Sequence, residues 1–340
     1  MKIAVIIPCR NEVNSIAECI HAIYNSELPN DCSVDLFVVD GKSNDGTIEL
    51  LEDLKKTYLS LKIVVNEKQL TPFAFNLGII AGKGCDYFQI IGARQLISTN
   101  YLKDAVGILQ KNNAIWCVGG AVENVYQNNE GKIIANAMAT SFGMGLGNFR
   151  TLDKSDYVDT VGTPMYPAWV FQKIGYFDEE LVRNQDDDFN YRVLQADGKI
   201  FFNADISLKY YVRGDYKGLW MQFFQYGYWK VYVNKKHKAV TTIRQLIPPM
   251  FTLYMLILIA SPLISFEFFK IFSIPFILYL LISIYFSLKI TKKDSEIGFI
   301  KVFQTFPILH LSYGLGYLKG ILDFILLRKK PSDKQKRLSR

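Results

Sequence analysis

The sequence is poor in the residues from which many metal-dependent and hydrolytic sites are built. Its three histidines, His21, His237 and His310, are too scattered for a histidine metal cluster or a Ser-His triad. Its five cysteines (Cys9, Cys19, Cys32, Cys85 and Cys117) never occur as C-x-x-C, and they read as reduced packing residues. The first strand-to-helix turn carries neither a G-x-G-x-x-G fingerprint nor a P-loop lysine. This excludes a dinucleotide oxidoreductase and a P-loop phosphotransferase. No basic motif with interleaved stacking aromatics occurs in the N-terminal part, so nucleic acid is not an expected partner. Met1-Lys2 leads into a short apolar run ended by Pro8, without a signal-peptide pattern, so the N-terminal part is expected to stay in the cytosol.

Apolar residues are plentiful but unevenly placed. Half of the 340 residues are hydrophobic, and Ile247 to Phe266 forms an uncharged stretch long enough to cross a bilayer. A second runs from Ile271 to Leu288, so the chain is expected to be a multi-pass membrane protein with a soluble N-terminal part. The net charge of +7 collects beside these stretches. Lys230, Lys235, Lys236, Lys238 and Arg244 precede the first, and Arg328, Lys329, Lys330, Lys334, Lys336, Arg337 and Arg340 close the chain. Such flanks mark a cytoplasmic face and make anionic membrane lipid a partner. With Glu267-Phe268-Phe269-Lys270 as the turn and Lys289, Lys292 and Lys293 following, both ends of the hairpin and the tail are expected in the cytosol. Phe303 to Leu327 carries Gln304, Pro307, His310, Lys319 and Asp323, which suits an interfacial or re-entrant helix.

Before the membrane stretches, short apolar runs alternate with helical patterns. Ile3–Ile7, Leu36–Val39, Ile63–Val65, Phe88–Ile91 and Ile115–Val118 read as buried strands, and Ser15–Tyr24, Thr47–Thr57, Pro72–Ala81 and Asn100–Leu109 as helices. This order implies a doubly wound, mostly parallel α/β sheet, whose ligands bind beyond the carboxyl ends of the strands. Those ends are Pro8-Cys9-Arg10-Asn11-Glu12, Asp40 to Thr47, Asn66-Glu67-Lys68 and Gly92-Ala93-Arg94. Asp40 is suited to accept from a base imide or ribose hydroxyl, and Arg10, Lys68 and Arg94 to meet a diphosphate. From Gly119 to Asn148 the chain reads as irregular, with a loop at Gly143–Gly147. A short helix is expected at Val170–Ile174, and edge strands at Ile200–Phe202 and Ser207–Val212.

Adjacent acids repel, so Gln185-Asp186-Asp187-Asp188 needs a cause: a helix N-terminus, a cation, or a carboxylate required as a base. Asn184 fits an N-cap, with Phe189, Val193 and Leu194 as the apolar stripe. Consecutive helical residues point in different directions, and the sequence physics does not choose among the three acids.

With these residues in view, the chain resembles the family 2 glycosyltransferases, in the subgroup typified by succinoglycan biosynthesis enzymes. The resemblance is carried by Ile6-Ile7-Pro8-Cys9-Arg10-Asn11-Glu12, by Val38-Val39-Asp40 with Ser43, Asp45, Gly46 and Thr47, and by Thr71-Pro72 with Asn76-Leu77-Gly78-Ile79. Tyr157–Val161, Gly175–Asn184 and His310–Gly316 continue it. It implies a GT-A fold in which Asp40 reads the uracil or ribose of a UDP-sugar, helped by Pro8, Arg10 and Glu12. It also implies that Asp186 is the base, with Gln185 in the usual Glu position. Gln225-Tyr226-Gly227-Tyr228-Trp229 resembles a Gln-x-x-Arg-Trp acceptor motif with Tyr228 in place of Arg, so Asp187, Gln222, Gln225 and Trp229 are the expected acceptor residues. That substitution argues against a processive synthase.

The fourth strand end departs from the family. Gly92-Ala93-Arg94 stands where relatives carry an Asp-x-Asp element for manganese or magnesium. Either Arg94 supplies the charge, or a metal is held elsewhere, or donor chemistry is lost. The resemblance implies an inverting transferase that moves a sugar from a UDP-sugar to a polyprenyl-linked glycan, at the cytoplasmic face of the inner (plasma) membrane, in exopolysaccharide, capsule or other surface-glycan synthesis. The alternative is an inactive membrane-tethered scaffold that binds sugar nucleotide or glycan. The expected division is a nucleotide-sugar half (1–118), an acceptor half (119–232), a basic linker (233–245), a membrane hairpin (246–290), and an interfacial or re-entrant helix with its tail (291–340).

Overall fold

The computed structural model describes residues 1–145 and 152–331. In chain order these form β1 (Lys2–Cys9), α1 (Ile16–Tyr24), β2 (Ser33–Asp40), α2 (Thr47–Thr57), β3 (Leu61–Val65), α3 (Thr71–Ala81), β4 (Tyr87–Ile90), β5 (Gln95–Ile97), α4 (Tyr101–Lys111) and β6 (Ile115–Val125). Then follow α5 (Asn129–Met138), α6 (Ser141–Met144), β7 (Asp156–Val158), β8 (Gly162–Pro167), α7 (Ala168–Ile174), α8 (Gln185–Gln195), β9 (Lys199–Tyr211), α9 (Tyr216–His237), α10 (Ile247–Ala260), α11 (Phe266–Lys293) and α12 (Phe299–Gly320). By internal contacts the chain forms two units, 1–123 with 152–211, and 124–151 with 212–340. The expected acceptor half, 119–232, is therefore distributed over both.

The first unit carries the sheet, in the order β3-β2-β1-β4-β8-β6-β9-β5, with β7 also paired to β9. β1 to β4 run parallel, and β8 enters antiparallel beside β4. Ile3, Ala4, Val5, Ile6 and Ile7 are all fully buried, as a continuous apolar run on a central parallel strand requires. α3 lies close on this strand: a Cβ added at Gly78 would sit 2.4 Å from Ile6 Cγ2, and one at Gly82 would sit 2.8 Å from Ala4 Cβ.

Several expectations need correction. Gly119 and Gly120 do not begin an irregular stretch but lie inside β6. A Cβ there would come within 2.5 Å of the Gly162 carbonyl oxygen and 2.3 Å of that of Ile206, so the glycines permit close strand approach. α5 and α6 follow, their caps Asn128 and Thr140 accepting from the amides of Gly131 and Gly143. Of the expected loop, Leu146 and Gly147 lie outside the described residues. The two expected edge strands are one strand, β9, bordered by β6 and β5. Its middle is held by Asn203, whose Oδ1 accepts from the Asp205 amide, and by Ser155, whose Oγ accepts from the Ala204 amide. α7 begins at Ala168, directly after β8.

In the second unit, Ile243–Leu263 (α10 with its flanking turns) and Phe266–Lys293 are long and apolar enough to cross a membrane, with mean hydropathy 1.8 and 2.2. Only 22% and 11% of their most apolar windows are buried, unlike the core helices of a soluble protein. Glu267 to Lys270 is not the turn between them but the first turn of α11, capped by the Ser265 hydroxyl, which accepts from the Phe268 amide. The segment 303–327 belongs to a helix that starts at Phe299 and continues past α12 as a π-helical turn, Ile321–Leu326. α12 packs backbone to backbone on α9. Cβ atoms at Gly227 and Gly316 would lie 2.0 Å from the carbonyl oxygens of Tyr313 and Phe224, the kind of approach that small residues allow between helices.

Overpacking predicts the response to substitution at the α3–β1 contact. Gly78→Val should destabilise the first unit by about 1–3 kcal/mol, because Ile6 has no flexible end with which to yield. Gly107→Ala on α4, where an added Cβ meets nothing within 4 Å, should instead raise stability by roughly 0.5–1 kcal/mol. Thermal unfolding of the detergent-solubilised chain would compare them. Equal midpoints for both variants would contradict the close-packing account.

Candidate active site

The carboxyl ends of the parallel strands are built into turns by their own polar side chains. Asp40 ends β2 and is 2% exposed; its Oδ2 accepts from the Ser43 amide (2.9 Å) and its Oδ1 from the Ser43 hydroxyl (2.5 Å). Ser43 Oγ in turn accepts from the Asn11 amide at 2.8 Å, and the Glu12 amide donates to Thr47 Oγ1 at 2.9 Å, so the β1 and β2 turns are stitched together. Asn11 and Lys42 have positive φ (54° and 59°). Gly41 follows Asp40, and a Cβ there would press on Arg10 at 3.3 Å.

Asp45 accepts from the amides of Val13 and Thr47 and from the Thr47 hydroxyl. Burial works against its charge, but these hydrogen bonds outweigh it and hold the carboxyl below its ordinary value. A depressed carboxyl contributes stability above its unfolded pKa, and that contribution disappears as the pH falls through the folded value. The turn should therefore loosen only in acid.

Asn66, which sequence reasoning passed over as a site residue, organises the end of β3. It is 2% exposed; its amide donates to the Asp40 carbonyl at 2.7 Å, its Nδ2 to Leu70 O at 2.9 Å, and its Oδ1 accepts from the amides of Lys68 and Gln69. Asn66 thereby ties the segment bearing Lys68 to the Asp40 turn. A buried asparagine at a strand end, followed by a charged turn, was the available signal.

At the fourth strand end, Gln95 Oε1 closes the Gly92–Gln95 turn by accepting from the Gly92 amide (2.6 Å) and the Thr163 hydroxyl (2.9 Å). Thr163 is buried at φ 53°, rare for a β-branched residue, and its carbonyl accepts from Gln89 Nε2 (2.9 Å) and the Tyr101 hydroxyl (2.7 Å). Arg94 projects from this turn. Its Nε donates to Glu12 Oε2 at 2.7 Å, and the same oxygen accepts from Ser15 Oγ at 3.0 Å. Glu12 therefore orients Arg94. The terminal nitrogens of Arg94 have no hydrogen-bond partner among the described residues and stay available as a fork.

The three acids separate by helix phase. Asp188 is 2% exposed and forms a two-point pair with Arg192, both contacts at 3.0 Å. Arg192 also donates to the carbonyls of Ile174 (2.6 Å) and Tyr176 (2.8 Å), so this pair ties α8 to the end of α7. Asp186 is exposed and sits one turn before Asn190, on the same helix face. Asn190 is buried and donates to Thr160 Oγ1 while accepting from the Tyr166 hydroxyl, so that face is turned toward the start of β8, where Thr163 and Gln95 meet. Asp187 is half-buried. Asn184 occupies the N-cap position but, contrary to expectation, is left-handed (φ 59°) and makes no side-chain cap bond. Asn76 explains another motif: its side chain exchanges hydrogen bonds with the backbone of Phe177 (2.9 and 3.0 Å) and donates to Glu179, fixing the loop that leads into α8.

Pro8, Arg10, Glu12, Asp40, Lys68, Arg94, Asp186 and Asp187 all lie in the first unit, whereas Gln222, Gln225 and Trp229 lie on α9 in the second. There Trp229 is fully buried, and Gln222 and Gln225 are 7% and 8% exposed. Among the described residues, no three His, Cys, Asp or Glu side chains are grouped so as to hold a metal ion. A turn that presents a guanidinium and no carboxylate is a poor donor set for a divalent cation.

A family model described as "Glycosyl transferase family 2" matches residues 4–173, half of the chain. Over 327 residues the chain is 25% identical to the dolichyl N-acetyl-alpha-D-glucosaminyl phosphate 3-beta-D-2,3-diacetamido-2,3-dideoxy-beta-D-glucuronosyltransferase of Methanococcus voltae, covering 94% of this chain and 97% of the relative. It is 27% identical over 245 residues to succinoglycan biosynthesis protein ExoA of Rhizobium meliloti, covering 72% and 73%. The fold is similar, at TM-score 0.61 and 15% identity, to that of the mannosyltransferase PcManGT from Pyrobaculum calidifontis, solved in complex with GDP-Man and Mn2+. That likeness covers 94% of this chain and 86% of the other.

The separation of the acids has a direct consequence for stability. Asp188→Ala takes the carboxylate partner from Arg192, which is 24% exposed and keeps the Ile174 and Tyr176 carbonyls, and should cost about 1.5–3 kcal/mol, whereas Asp186→Ala at an exposed position should cost less. Urea unfolding followed by tryptophan fluorescence would measure both. Comparable losses for the two variants would refute the separation.

Proposed function

The chain belongs to glycosyl transferase family 2, and on that premise we propose that it moves one sugar from a UDP-sugar to a polyprenyl-linked glycan, with inversion at the anomeric carbon, in cell-surface polysaccharide synthesis. The observation that carries this reading is the Arg94 guanidinium after β4, held through Nε by Glu12, with its terminal nitrogens unengaged among the described residues. In the reaction the acceptor hydroxyl gives its proton to Asp186. Its oxygen bonds to the anomeric carbon as the bond to the diphosphate oxygen breaks, and UDP leaves. Charge grows on the diphosphate as the sugar departs, and a fixed fork that meets two phosphate oxygens stabilises that charge without reorganising.

Asp186 suits the base because it is the exposed acid of the three, while Asp188 is tied to Arg192. The uridine assignment rests on the resemblance at Asp40 and its turn. The lipid-linked acceptor is supported by the dolichyl substrate in the name of the Methanococcus voltae relative and by the two candidate spans. The acceptor residues assigned on α9 would act from a helix whose Trp229 is buried. The proposed setting is the inner (plasma) membrane, crossed by α10 and α11, with the catalytic unit and both ends of the hairpin in the cytosol.

Asp186→Asn should lower turnover by about 10²–10⁴-fold while UDP binding stays near wild type. Transfer assayed on membranes beside calorimetry with UDP would read both quantities, and near-normal transfer would remove Asp186 as the base. Arg94 is tested separately. In excess chelator a substantial fraction of the rate should persist, and Arg94→Ala should cost more activity than chelation does. Loss of all transfer on chelation, restored by manganese or magnesium, would assign the cation's role to a metal.

A further inference from the structure

The second unit contains a cavity of about 750 Å³ whose lining includes Lys132 and Ile133 of α5 and residues 296–301. Its wall is partly apolar. Ile297 is 4% exposed and belongs to a buried cluster with Ile133, whereas Ile300 is 67% exposed. The lining also carries the charged side chains of Lys132, Glu296 and Lys301. Lys132 lies 2.7 Å from both Asp294 and Glu296, so this trio carries one excess negative charge, which the lysines beside it must outweigh. Lys301 is not neutralised. Its ammonium makes no ion pair or hydrogen bond among the described residues.

The surroundings extend the same chemistry. Lys289, Lys292 and Lys293 occupy the last turns of α11, and all are exposed without an ion pair among the described residues. Their spacing places them on one helix face. Residues 294–298, which join this basic end to α12, provide part of the cavity lining. α12 begins there with Gly298 at its N-cap and no side-chain cap bond, so the helix dipole adds to the positive field. α11 itself is long and apolar enough to cross a bilayer. A ligand that fits must therefore be anionic at one end, apolar next to it, and present where a membrane helix emerges.

We propose that this cavity seats the phosphate headgroup of an anionic bilayer phospholipid, with Lys301 and the lysines at the end of α11 around the phosphate and the first carbons of the chain on the Ile300 wall. The proposal rests on α11 crossing a bilayer and not on the transferase chemistry. A free phosphate would leave the apolar wall unused, and a zwitterionic lipid would bring a second charge that the lysines repel.

The full-length chain in neutral detergent would be titrated with phosphatidylglycerol, phosphatidylcholine, a polyprenyl phosphate and inorganic phosphate, and bound lipid would be counted by native mass spectrometry. Phosphatidylglycerol should bind in preference to the other three. Lys301→Glu should weaken it by about fivefold or more, the effect of one lysine near an anionic surface, while Lys83→Glu in the first unit should leave it unchanged. Should Lys301→Glu fail to fold, Lys301→Ala and a phosphatidylglycerol-dependent rise in the wild-type unfolding temperature replace it. Equal binding of phosphatidylcholine, equal weakening by Lys83→Glu, or binding of the polyprenyl phosphate alone would each overturn the proposal. Because these readouts are of binding, loss of transfer activity leaves the result interpretable.

Discussion

The proposed transfer depends on a fixed positive charge at the carboxyl end of β4, and much of the local structure of the first unit holds that charge still. Arg94 is oriented by Glu12, Glu12 by Ser15, and the turn beneath them by Gln95. Gln95 reaches Thr163, whose strained backbone is held in turn by Gln89 and Tyr101. A guanidinium is always charged and carries its donors in a rigid plane, so once oriented it needs little rearrangement to meet a diphosphate. The same turn offers no carboxylate to a metal, which makes the arginine and a divalent ion alternatives at this position.

Much of the fold was legible because its strongest signals are local. The continuous apolar runs at Ile3–Ile7 and Leu36–Val39 and the helical patterns around Thr47 and Pro72 predict elements whose ends fall within three residues of those observed. The misreadings within the sheet have one cause, which is that tertiary partners cannot be seen in sequence. Gly119-Gly120 reads as a break unless the carbonyls of Gly162 and Ile206 are known to approach. Asn203-Ala204-Asp205 reads as a gap unless Ser155 is known to hold it. For the acidic run, the spacing of Asp188 and Arg192 was a visible sign of an internal pair. The phase that leaves Asp186 exposed became evident only with Asn190 bound to Thr160. Thr163 gave no signal, because its role follows from its backbone conformation and its partners.

The second unit obeys different rules. Its long helices bury little of their apolar surface, and α9 and α12 meet through glycines that bring backbones together. Trp229 and Tyr228, which resemble part of an acceptor motif, are packed into this unit, and the Tyr228 hydroxyl donates to the buried Asp323 carboxylate at 3.1 Å. Asp323, in the π-helical turn that extends α12, also pairs with Lys319 of α12 at 2.8 Å. Tyr228, where the resemblance leads one to expect an arginine, thus hydrogen-bonds a buried acid.

A structure of the full-length chain with UDP bound tests the central claim most directly. The account expects the diphosphate within hydrogen-bond distance of the terminal nitrogens of Arg94, with Glu12 still on Nε and the nucleoside against the Asp40 turn. A diphosphate held instead by a metal ion on Asp186 to Asp188, with Arg94 bonded to Glu12 alone, would contradict it.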